Sequence, residues 1–373
     1  MSFYHVYKEL KLFDFEGFLN SVTSNDIHRI MHKELLNEKD FLMLLSPAVE
    51  EYLEELAQKA HQLTVQHFGK TIQLFNPIYI SDHCVNHCTY CSFSVINQFK
   101  RQKLTMEEVD REAKNLASMG IKHILILTGE SKLHSSVAYI KKTVEVLKKY
   151  FSSISIEINP LDTAEYKELK EAGVDGVTVY QEVYNEDVYR DFHVKGPKRN
   201  YRYRLDTPER GCQAGLRSVN IGSLLGLDNW RKEVFFTGMH AVYLQKKYIG
   251  TEIGLSLPRI RPHLGSFKPR SEVDDKAFVQ SLIALRLFLP RSGITLSTRE
   301  SAVFRDHLIP LGVTKMSAGA STEVGGYSLE ALGTNQFEIS DERGVRDICD
   351  ALYKKGYQPV FKDWIQSSCP PVL

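Results

Sequence analysis

From residue 74 onward, short apolar runs alternate with amphipathic segments, and this alternation constrains the fold more than any other feature of the 373-residue chain. The strand-like runs number eight, at 78–81, 123–128, 154–159, 176–180, 217–221, 252–256, 293–297 and 314–317. Helical segments separate them, such as 106–119, which begins with a Thr105–Glu108 capping box and ends before Gly120. Eight successive βα units predict a (β/α)8 TIM-type barrel of the α/β class, with an incomplete barrel of six units as the alternative.

The barrel is predicted to carry an extension at each end. Residues 1–72 are expected to form an N-terminal helical extension, whose last amphipathic segment ends at Gly69. Residues 73–318 then form the barrel. Residues 319–373 form a short C-terminal extension of loop and helix that packs on the barrel, with the helix expected at 340–355.

Composition narrows the class of protein. Hydrophobic residues make up 43% of the chain and charged residues 25%, which is typical of a globular enzyme. The formal net charge of +1 gives no reason to expect nucleic acid or an acidic membrane as a partner. The chain lacks a run of 18 apolar residues and a signal-like N-terminus, so the cytoplasm is the predicted compartment.

The loop after the first predicted strand contains the motif most specific for chemistry. Cys84, Cys88 and Cys91 form a C-x3-C-x2-C pattern, with Tyr90 immediately before the last cysteine. Three thiolates so close together could bind three irons of a [4Fe–4S] cluster and leave the fourth iron open to a small molecule. A zinc site completed by a neighbouring histidine, and a group of buried structural cysteines, are the alternatives.

This cysteine pattern resembles the motif of the radical S-adenosylmethionine (SAM) enzymes. In that family the open iron is chelated by the amino and carboxylate groups of SAM. An electron from the cluster then cleaves SAM to methionine and a 5′-deoxyadenosyl radical, which abstracts hydrogen from the substrate. The resemblance implies a [4Fe–4S] cluster and SAM as cofactors, and an electron donor of the flavodoxin or ferredoxin type.

Polar residues are concentrated where the predicted strands end, which is where barrels of this kind carry their chemistry. The segment 128–130 resembles the family motif that receives the SAM ammonium, and Arg204 resembles the arginine that pairs with the SAM carboxylate. Ordinary turns and an exposed rim are the alternatives for these segments. The predicted cofactor-binding residues are Tyr90, Thr128, Gly129, Glu130, Glu157, Gln181, Glu182, Arg204, Gly222 and Leu225.

The last two predicted strands point to the substrate. Arg299 follows the seventh strand and could hold an amino-acid carboxylate through two hydrogen bonds. Ser317 and Ser321 could add hydrogen bonds, and these three residues form the predicted catalytic set. The alternative for Arg299 is a salt bridge to Glu300 or Asp306.

Longer segments, among them 75–93, 125–131 and 317–322, resemble the tyrosine lyases of thiamine biosynthesis, the 2-iminoacetate synthases. The resemblance implies cleavage of the Cα–Cβ bond of L-tyrosine to 2-iminoacetate (dehydroglycine) and p-cresol. SAM becomes 5′-deoxyadenosine and methionine, and the product serves thiamine thiazole synthesis. A complex with thiazole synthase is also implied. Ser92 departs from the family pattern, which has glycine after the last cluster cysteine.

Three other functions remain as alternatives. The tyrosine lyase of [FeFe]-hydrogenase maturation has a further C-terminal domain with a second cluster, whereas this chain stops at Leu373. Its Cys349 and Cys369 do not form a C-x2-C pair, so a second cluster is not expected. A tryptophan lyase of the same family is the second alternative, and a zinc-stabilised scaffold without catalysis is the third.

Overall fold

Eight parallel strands close into a barrel, which confirms the predicted fold and excludes the six-unit alternative. The computed structural model describes residues 2–329 and 333–362. Its strands are β1 (Thr71–Ser81), β2 (His87–Cys88), β3 (His123–Thr128), β4 (Ser153–Glu157), β5 (Gly176–Glu182), β6 (His193–Lys195), β7 (Ser218–Ser223), β8 (Glu252–Ser256), β9 (Ile294–Leu296), β10 (Lys315–Ser317) and β11 (Gln358–Val360). The barrel order is β1-β3-β4-β5-β7-β8-β9-β10, and β10 pairs with β1 to close it.

Helices surround the barrel and precede it. The described α-helices are α1 (Phe3–Leu10), α2 (Phe15–Ser21), α3 (Ser24–Met31), α4 (Glu38–Met43), α5 (Leu53–Phe68), α6 (Met106–Ser118), α7 (Val137–Leu147), α8 (Thr163–Ala172), α9 (Glu186–Phe192), α10 (Tyr201–Leu205), α11 (Thr207–Gln213), α12 (Trp230–Lys247), α13 (Asp275–Phe288), α14 (Ala302–Leu308) and α15 (Val345–Lys354). Short 3₁₀ segments occupy Pro47–Tyr52, Pro197–Arg199 and Ile309–Leu311.

The sequence explains why these elements form. Strand β3 reads HILILT and is buried almost throughout, as expected for a parallel strand covered on both faces. At the start of α6, the Thr105 backbone N–H donates to the Glu108 carboxylate at 2.7 Å. The Glu108 N–H donates in return to the Thr105 hydroxyl at 3.3 Å, so the predicted capping box is present.

The N-terminal helices pack on one side of the barrel. Helices α4 and α5 contact α13, and the ring of Phe41 stacks on that of Phe288 with centroids 4.3 Å apart. The division of the chain at residues 72 and 318 is kept here as a proposal. The predicted C-terminal extension includes residues 363–373, which lie outside the described residues.

The helix predicted at 340–355 is shorter than expected, because α15 begins at Val345. The preceding segment is held by other contacts. The Asp341 carboxylate accepts hydrogen bonds from both Arg305 and Arg343, and the Ser340 N–H donates to the Thr298 carbonyl at 2.8 Å. Residues 340–344 therefore connect the tail to the barrel instead of extending the helix.

Two pairings were not predicted from the sequence. Strand β2 lies inside the cysteine loop and pairs antiparallel with β6, which follows α9. The segment that contains β6 therefore packs against the cysteine loop. Strand β11 pairs in parallel with the amino end of β1, at Thr71–Gln73. Among residues 2–329 and 333–362, no helix has the length and apolar character needed to cross a membrane.

Candidate active site

The three motif cysteines lie in the loop that follows β1, at the carboxyl end of the barrel. Cys88 is buried within β2, and Cys84 and Cys91 are half-buried. Burial and the neighbouring Cys84 raise the pKa of the Cys91 thiol to about 11. Burial raises the pKa of Cys88 strongly, and the charges of Cys91 and Cys84 add to the effect. The three thiols therefore lie in one partly buried loop.

This donor set fits an iron–sulfur cluster better than a single metal ion. Within the described part of the chain, no three His, Cys, Asp or Glu side chains meet as ligands of one ion. In a [4Fe–4S] cluster each thiolate binds a different iron, so the sulfurs need not meet at one point. The zinc-stabilised scaffold is accordingly not favoured.

Four charged side chains at the same end of the barrel form what we call the paired side: Glu130, Glu182, Lys198 and Arg204. Arg204 donates to Glu130 at 2.9 Å and to Glu182 at 3.1 Å, through different nitrogens. Lys198 donates to Glu182 at 2.7 Å. Two cations thus balance two carboxylates, and each of the four side chains is at most 15% exposed. A buried network of this kind is stable only when each charge has its partner.

Glu182 is the most constrained member of the paired side. It is the only non-glycine residue among those described with a positive φ, at 71°, and such a conformation is costly for a side-chain-bearing residue. Burial alone would raise the pKa of its carboxyl, but Lys198 and Arg204 outweigh burial and lower it to about 2. The carboxylate is therefore ionised at neutral pH and bound to both cations.

Asn86 connects the paired side to the cysteine loop. Its side-chain N–H donates to Glu130 at 2.8 Å, and its carbonyl oxygen accepts from the Lys198 backbone N–H at 2.9 Å. Gly129, beside Glu130, lies so close to this loop that an added Cβ would be 2.5 Å from the His83 carbonyl oxygen. Only glycine fits this approach, so the loop and Glu130 keep a fixed relative position.

Tyr90 is also held by its neighbours. Its hydroxyl lies 2.8 Å from His193 Nε2, and His193 Nδ1 lies 2.7 Å from the Tyr189 carbonyl oxygen. A carbonyl can only accept, so Nδ1 carries the proton and Nε2 accepts from Tyr90. Burial and the nearby Lys198 lower the pKa of His193 to about 3, which keeps this neutral form at physiological pH.

Three further side chains at the barrel mouth form what we call the open side: Glu157 at the end of β4, Arg299 after β9 and Ser317 in β10. Arg299 is half-buried, and its guanidinium carbon lies 3.4 Å from the centroid of the Phe337 ring. Among the described residues, the Arg299 guanidinium donates a hydrogen bond to the Arg259 carbonyl at 3.3 Å. The proposed salt bridges to Glu300 and Asp306 do not form, because Arg259 pairs with Glu300 and Arg343 pairs with Asp306.

Glu157, which is half-buried, differs from the buried Glu182 in the charges around its carboxyl. Burial and the negative charge of Glu182 raise the pKa of Glu157 to about 7, against the weaker effect of Arg299. Glu157 therefore changes protonation near neutral pH. Groups of this kind are often found where protons are exchanged or bound during catalysis.

Several buried polar groups at the carboxyl ends of the strands have no hydrogen-bond partner among the described residues. They are the Thr128 hydroxyl after β3, both amide atoms of Asn159 after β4, both amide atoms of Gln181 in β5 and the Ser317 hydroxyl in β10. Buried groups without partners are costly. Their concentration at one end of the barrel fits the binding of a polar cofactor such as SAM and of an amino-acid substrate.

A cavity connects the two sides of the barrel mouth. Its lining includes Tyr90, Cys91, Glu157, Glu182, Arg299 and Ser317, all predicted site residues. It also includes Lys198, Tyr79 and Tyr180, which sequence analysis did not single out. Lys198 follows a short stretch with no strand or helix pattern. Its only signal was its place in the segment 193–205, HVKGPKRNYRYRL, which also resembles the tyrosine lyases.

Other predicted residues lie near the cavity without lining it. The Ser321 hydroxyl accepts from the Glu323 N–H, and Ala320 and Thr322 line the cavity in its place. Leu225 is buried and exchanges backbone hydrogen bonds with residues 258 and 260, while Leu224 lines the cavity. A Cβ at Gly222 would lie 1.8 Å from the Ser256 carbonyl oxygen, so strand packing already requires this glycine.

Comparison with known families agrees with the barrel and its cysteine loop. The model of the radical SAM superfamily matches residues 78–235. The model of the Biotin and Thiamin Synthesis associated domain matches residues 256–358. The fold, the cysteine loop and these matches define a radical SAM enzyme, with a [4Fe–4S] cluster and SAM as cofactors.

Sequence comparison with individual proteins shows which family of radical SAM enzymes the chain belongs to. The chain is 39% identical to the 2-iminoacetate synthase of Salmonella typhimurium, over 96% of this chain and 95% of the relative. It is 41% identical to that of Escherichia coli, over 93% of this chain and 92% of the relative. The chain belongs to the 2-iminoacetate synthase family.

A solved structure supports the same conclusion about the fold. The FeFe-hydrogenase maturase HydG from Carboxydothermus hydrogenoformans superposes with a TM-score of 0.89 at 32% identity. The alignment covers 97% of this chain and 85% of HydG.

Proposed function

We propose that the protein is a tyrosine lyase of thiamine biosynthesis. It cleaves the Cα–Cβ bond of L-tyrosine to 2-iminoacetate and p-cresol, and SAM is converted to 5′-deoxyadenosine and methionine. One observation carries the proposal beyond family membership: the half-buried Arg299 lines the cavity and has no carboxylate partner among the described residues. The carboxylate of an amino-acid substrate would complete this site.

We assign the cofactors to the cysteine loop and the paired side. Cys84, Cys88 and Cys91 bind the cluster, and Glu130 receives the ammonium group of SAM. The contacts of Asn86 and Arg204 with Glu130 support this role, since they fix the carboxylate before the cofactor binds. When bound, the reduced cluster and SAM supply a 5′-deoxyadenosyl radical that abstracts a hydrogen atom from the substrate amino group.

The open side positions the substrate. Arg299 donates hydrogen bonds to the tyrosine carboxylate, and the Ser317 hydroxyl gains the partner that it otherwise lacks. Holding the carboxylate at one point directs the neighbouring amino group, and such orientation decides which atom reacts. Glu157, with a pKa near 7, can accept or release a proton within the cavity. Tyr79 and Tyr180 enclose the aromatic ring of the substrate.

Anaerobic turnover with SAM and L-tyrosine tests the proposed reaction. We expect 5′-deoxyadenosine, p-cresol and glyoxylate, the hydrolysis product of released 2-iminoacetate. Formation of CO or cyanide would instead support a hydrogenase-maturation lyase. Deoxyadenosine without p-cresol would exclude tyrosine, and L-tryptophan would be the next substrate to test.

The partners and the compartment are proposals that rest on family resemblance. We propose that the protein forms a complex with thiazole synthase, receives electrons from a flavodoxin- or ferredoxin-type protein and acts in the cytoplasm. Co-purification of the tagged protein with thiazole synthase under anaerobic conditions tests the first of these. Absence of thiazole synthase at equal expression would contradict a stable complex.

A further inference from the structure

The surface over the cysteine loop is basic, although the chain as a whole is nearly neutral. The segments 83–103, 193–204 and 261–270 contain eleven Lys and Arg residues and no Asp or Glu. Two of the eleven, Lys198 and Arg204, belong to the paired side and are not part of this surface. The full chain has 47 basic and 46 acidic residues, so this local excess is balanced elsewhere. Charge segregation of this kind affects association with charged partners more than it affects the fold.

Contacts between the three segments make them one continuous surface. His87 in β2 pairs with Lys195 in β6, and the Lys198 backbone N–H donates to the Asn86 side-chain carbonyl at 2.9 Å. The Leu264 N–H donates to the hydroxyl of Ser92 at 2.9 Å. We call this surface, formed by residues 85–100, 194–199 and 264–268, the basic face.

Apolar side chains are unusually exposed on the basic face. The exposed fractions are 47% for Val85, 50% for Val95, 56% for Ile96, 39% for Val194 and 44% for Leu264. Hydrophobic groups gathered in one region and surrounded by polar groups are typical of protein–protein interaction sites. No helix or strand of the described residues covers these side chains.

Cations surround this apolar group and are available for contact with a partner. Lys100, Lys195, Arg199 and Lys268 are exposed, and none of them forms an ion pair with a described residue. Two basic residues outside the basic face differ, since Arg270 lies 3.6 Å from Asp191 and Lys132 lies 3.9 Å from Glu165. The four cations without an ion pair therefore belong to the basic face itself.

We propose that the basic face is the docking surface for an acidic one-electron carrier protein that reduces the cluster. The inference deepens the proposed function, because it rests on the cysteine loop binding a cluster that must be reduced. Cys88 lies directly beneath this surface, since its strand pairs with the exposed strand β6. The carrier loses one electron and the cluster gains it, and no proton or other reactant is needed.

Charge reversal tests this docking surface. In Lys195→Glu/Lys268→Glu, we expect the apparent KM for reduced flavodoxin, used as the acidic carrier, to rise by at least about tenfold. The rate at saturating carrier and the rate with dithionite should stay near those of the unchanged protein. The readout is 5′-deoxyadenosine, whose formation does not require that tyrosine be the substrate.

Lys354→Glu/Lys355→Glu is the matched control. It makes the same change of charge at exposed positions beside β11, which pairs with the amino end of β1, opposite the cysteine loop. We expect its KM for flavodoxin to remain unchanged. An equal rise in the control variant, or no rise in the test variant, would refute the proposal.

A second measurement keeps the proposal testable if charge reversal damages folding. In the unchanged protein, the flavodoxin-supported rate should fall as ionic strength increases, while the dithionite-supported rate should change little. Equal salt dependence would contradict an electrostatic docking surface. If the basic face instead joins two copies of this chain, Ile96→Ser should change the oligomeric state in light scattering, and the proposal would be wrong.

These experiments distinguish failure of the proposed docking surface from failure of the proposed tyrosine cleavage. Flavodoxin-dependent deoxyadenosine without p-cresol would refute tyrosine cleavage and retain the docking surface. Normal p-cresol formation with dithionite, combined with an unchanged KM for flavodoxin in the test variant, would refute the docking surface and retain tyrosine cleavage.

Discussion

The two sides of the barrel mouth contain similar groups but differ in how far their charges are balanced. On the paired side, Arg204 and Lys198 already bind Glu130 and Glu182. On the open side, Arg299 has no described carboxylate partner and the Ser317 hydroxyl has no described partner. The carboxyls reflect this difference, with a pKa of about 2 for Glu182 and about 7 for Glu157.

This difference separates two tasks. A network that is complete before ligands bind can hold a cofactor in a fixed position, because little reorganisation is needed. A site with an unsatisfied cation and hydroxyl gains most from a ligand that supplies the missing groups, and this favours selective binding of an amino acid. The paired side therefore suits SAM, and the open side suits tyrosine.

Loss of the cluster should remove the function of both sides. In Cys91→Ala we expect SAM cleavage to be abolished, because one iron of the cluster loses its thiolate ligand. Iron content after anaerobic reconstitution and 5′-deoxyadenosine formation measure the effect. Cys212→Ala is the control, since Cys212 is a buried cysteine of α11 outside the motif. Equal loss of iron in both variants would contradict the assignment.

The carboxyls of Glu182 and Glu157 should affect stability in different ranges of pH. The stabilisation from Glu182, up to about 3 kcal/mol for a shift of this size, is present above its usual pKa of 4.5 and lost as pH falls towards 2. For Glu157, stability is highest below pH 4.5 and decreases as pH rises through about 7. Glu182→Gln should remove the loss of stability at low pH, and Glu157→Gln should remove the loss of stability at high pH.

Thermal unfolding of the cluster-free protein, measured between about pH 3 and pH 8, tests this contrast. Glu182→Gln should lower the midpoint at neutral pH, because Lys198 and Arg204 lose a negative partner. Glu157→Gln should raise the midpoint at pH 8. If both substitutions shift stability in the same direction, the two carboxyls do not differ as proposed.

Arg299→Ala should break the open side and leave the paired side intact. We expect kcat/KM for tyrosine to fall by about 30-fold, which corresponds to about 2 kcal/mol from the lost charged hydrogen bonds. Deoxyadenosine should still form, without an equal amount of p-cresol. Arg346→Ala, at an exposed arginine of α15, should change neither product. Unchanged turnover of tyrosine in Arg299→Ala would refute the substrate assignment.

Ser317→Ala should give the smallest effect. Its hydroxyl has no described partner before the substrate binds, so removal should leave the thermal midpoint unchanged. The KM for tyrosine should rise by about fivefold, the equivalent of one hydrogen bond of about 1 kcal/mol. Steady-state kinetics at fixed SAM provide the measurement, and a change in stability without a change in KM would indicate a structural role.

Local patterns predicted the barrel and the position of the cysteine loop. The run HILILT and the Thr105–Glu108 capping box form within a few residues, so the sequence contains most of what determines them. Because parallel strands align their carboxyl ends, Glu157, Glu182, Arg299 and Ser317 could be expected at one mouth. The cavity does bring these four side chains together.

The pairing of charges could not be predicted, because it depends on contacts between distant segments. Glu300 and Asp306 are both near Arg299 in the sequence, but Arg259 and Arg343 pair with those carboxylates instead. Lys198 lies between Glu130 and Glu182 only because β6 pairs with β2. The start of α15 is later than predicted for a similar reason, because Asp341 binds Arg305, which is distant in the sequence, and Arg343, which precedes the helix.

A crystal structure of the anaerobically reconstituted enzyme with SAM and L-tyrosine would test the central claim most directly. We expect the SAM ammonium beside Glu130 on the paired side, and the tyrosine carboxylate hydrogen-bonded to Arg299 on the open side. A tyrosine carboxylate bound to Lys198 or Arg204, with Arg299 still facing only protein groups, would contradict the division of the site.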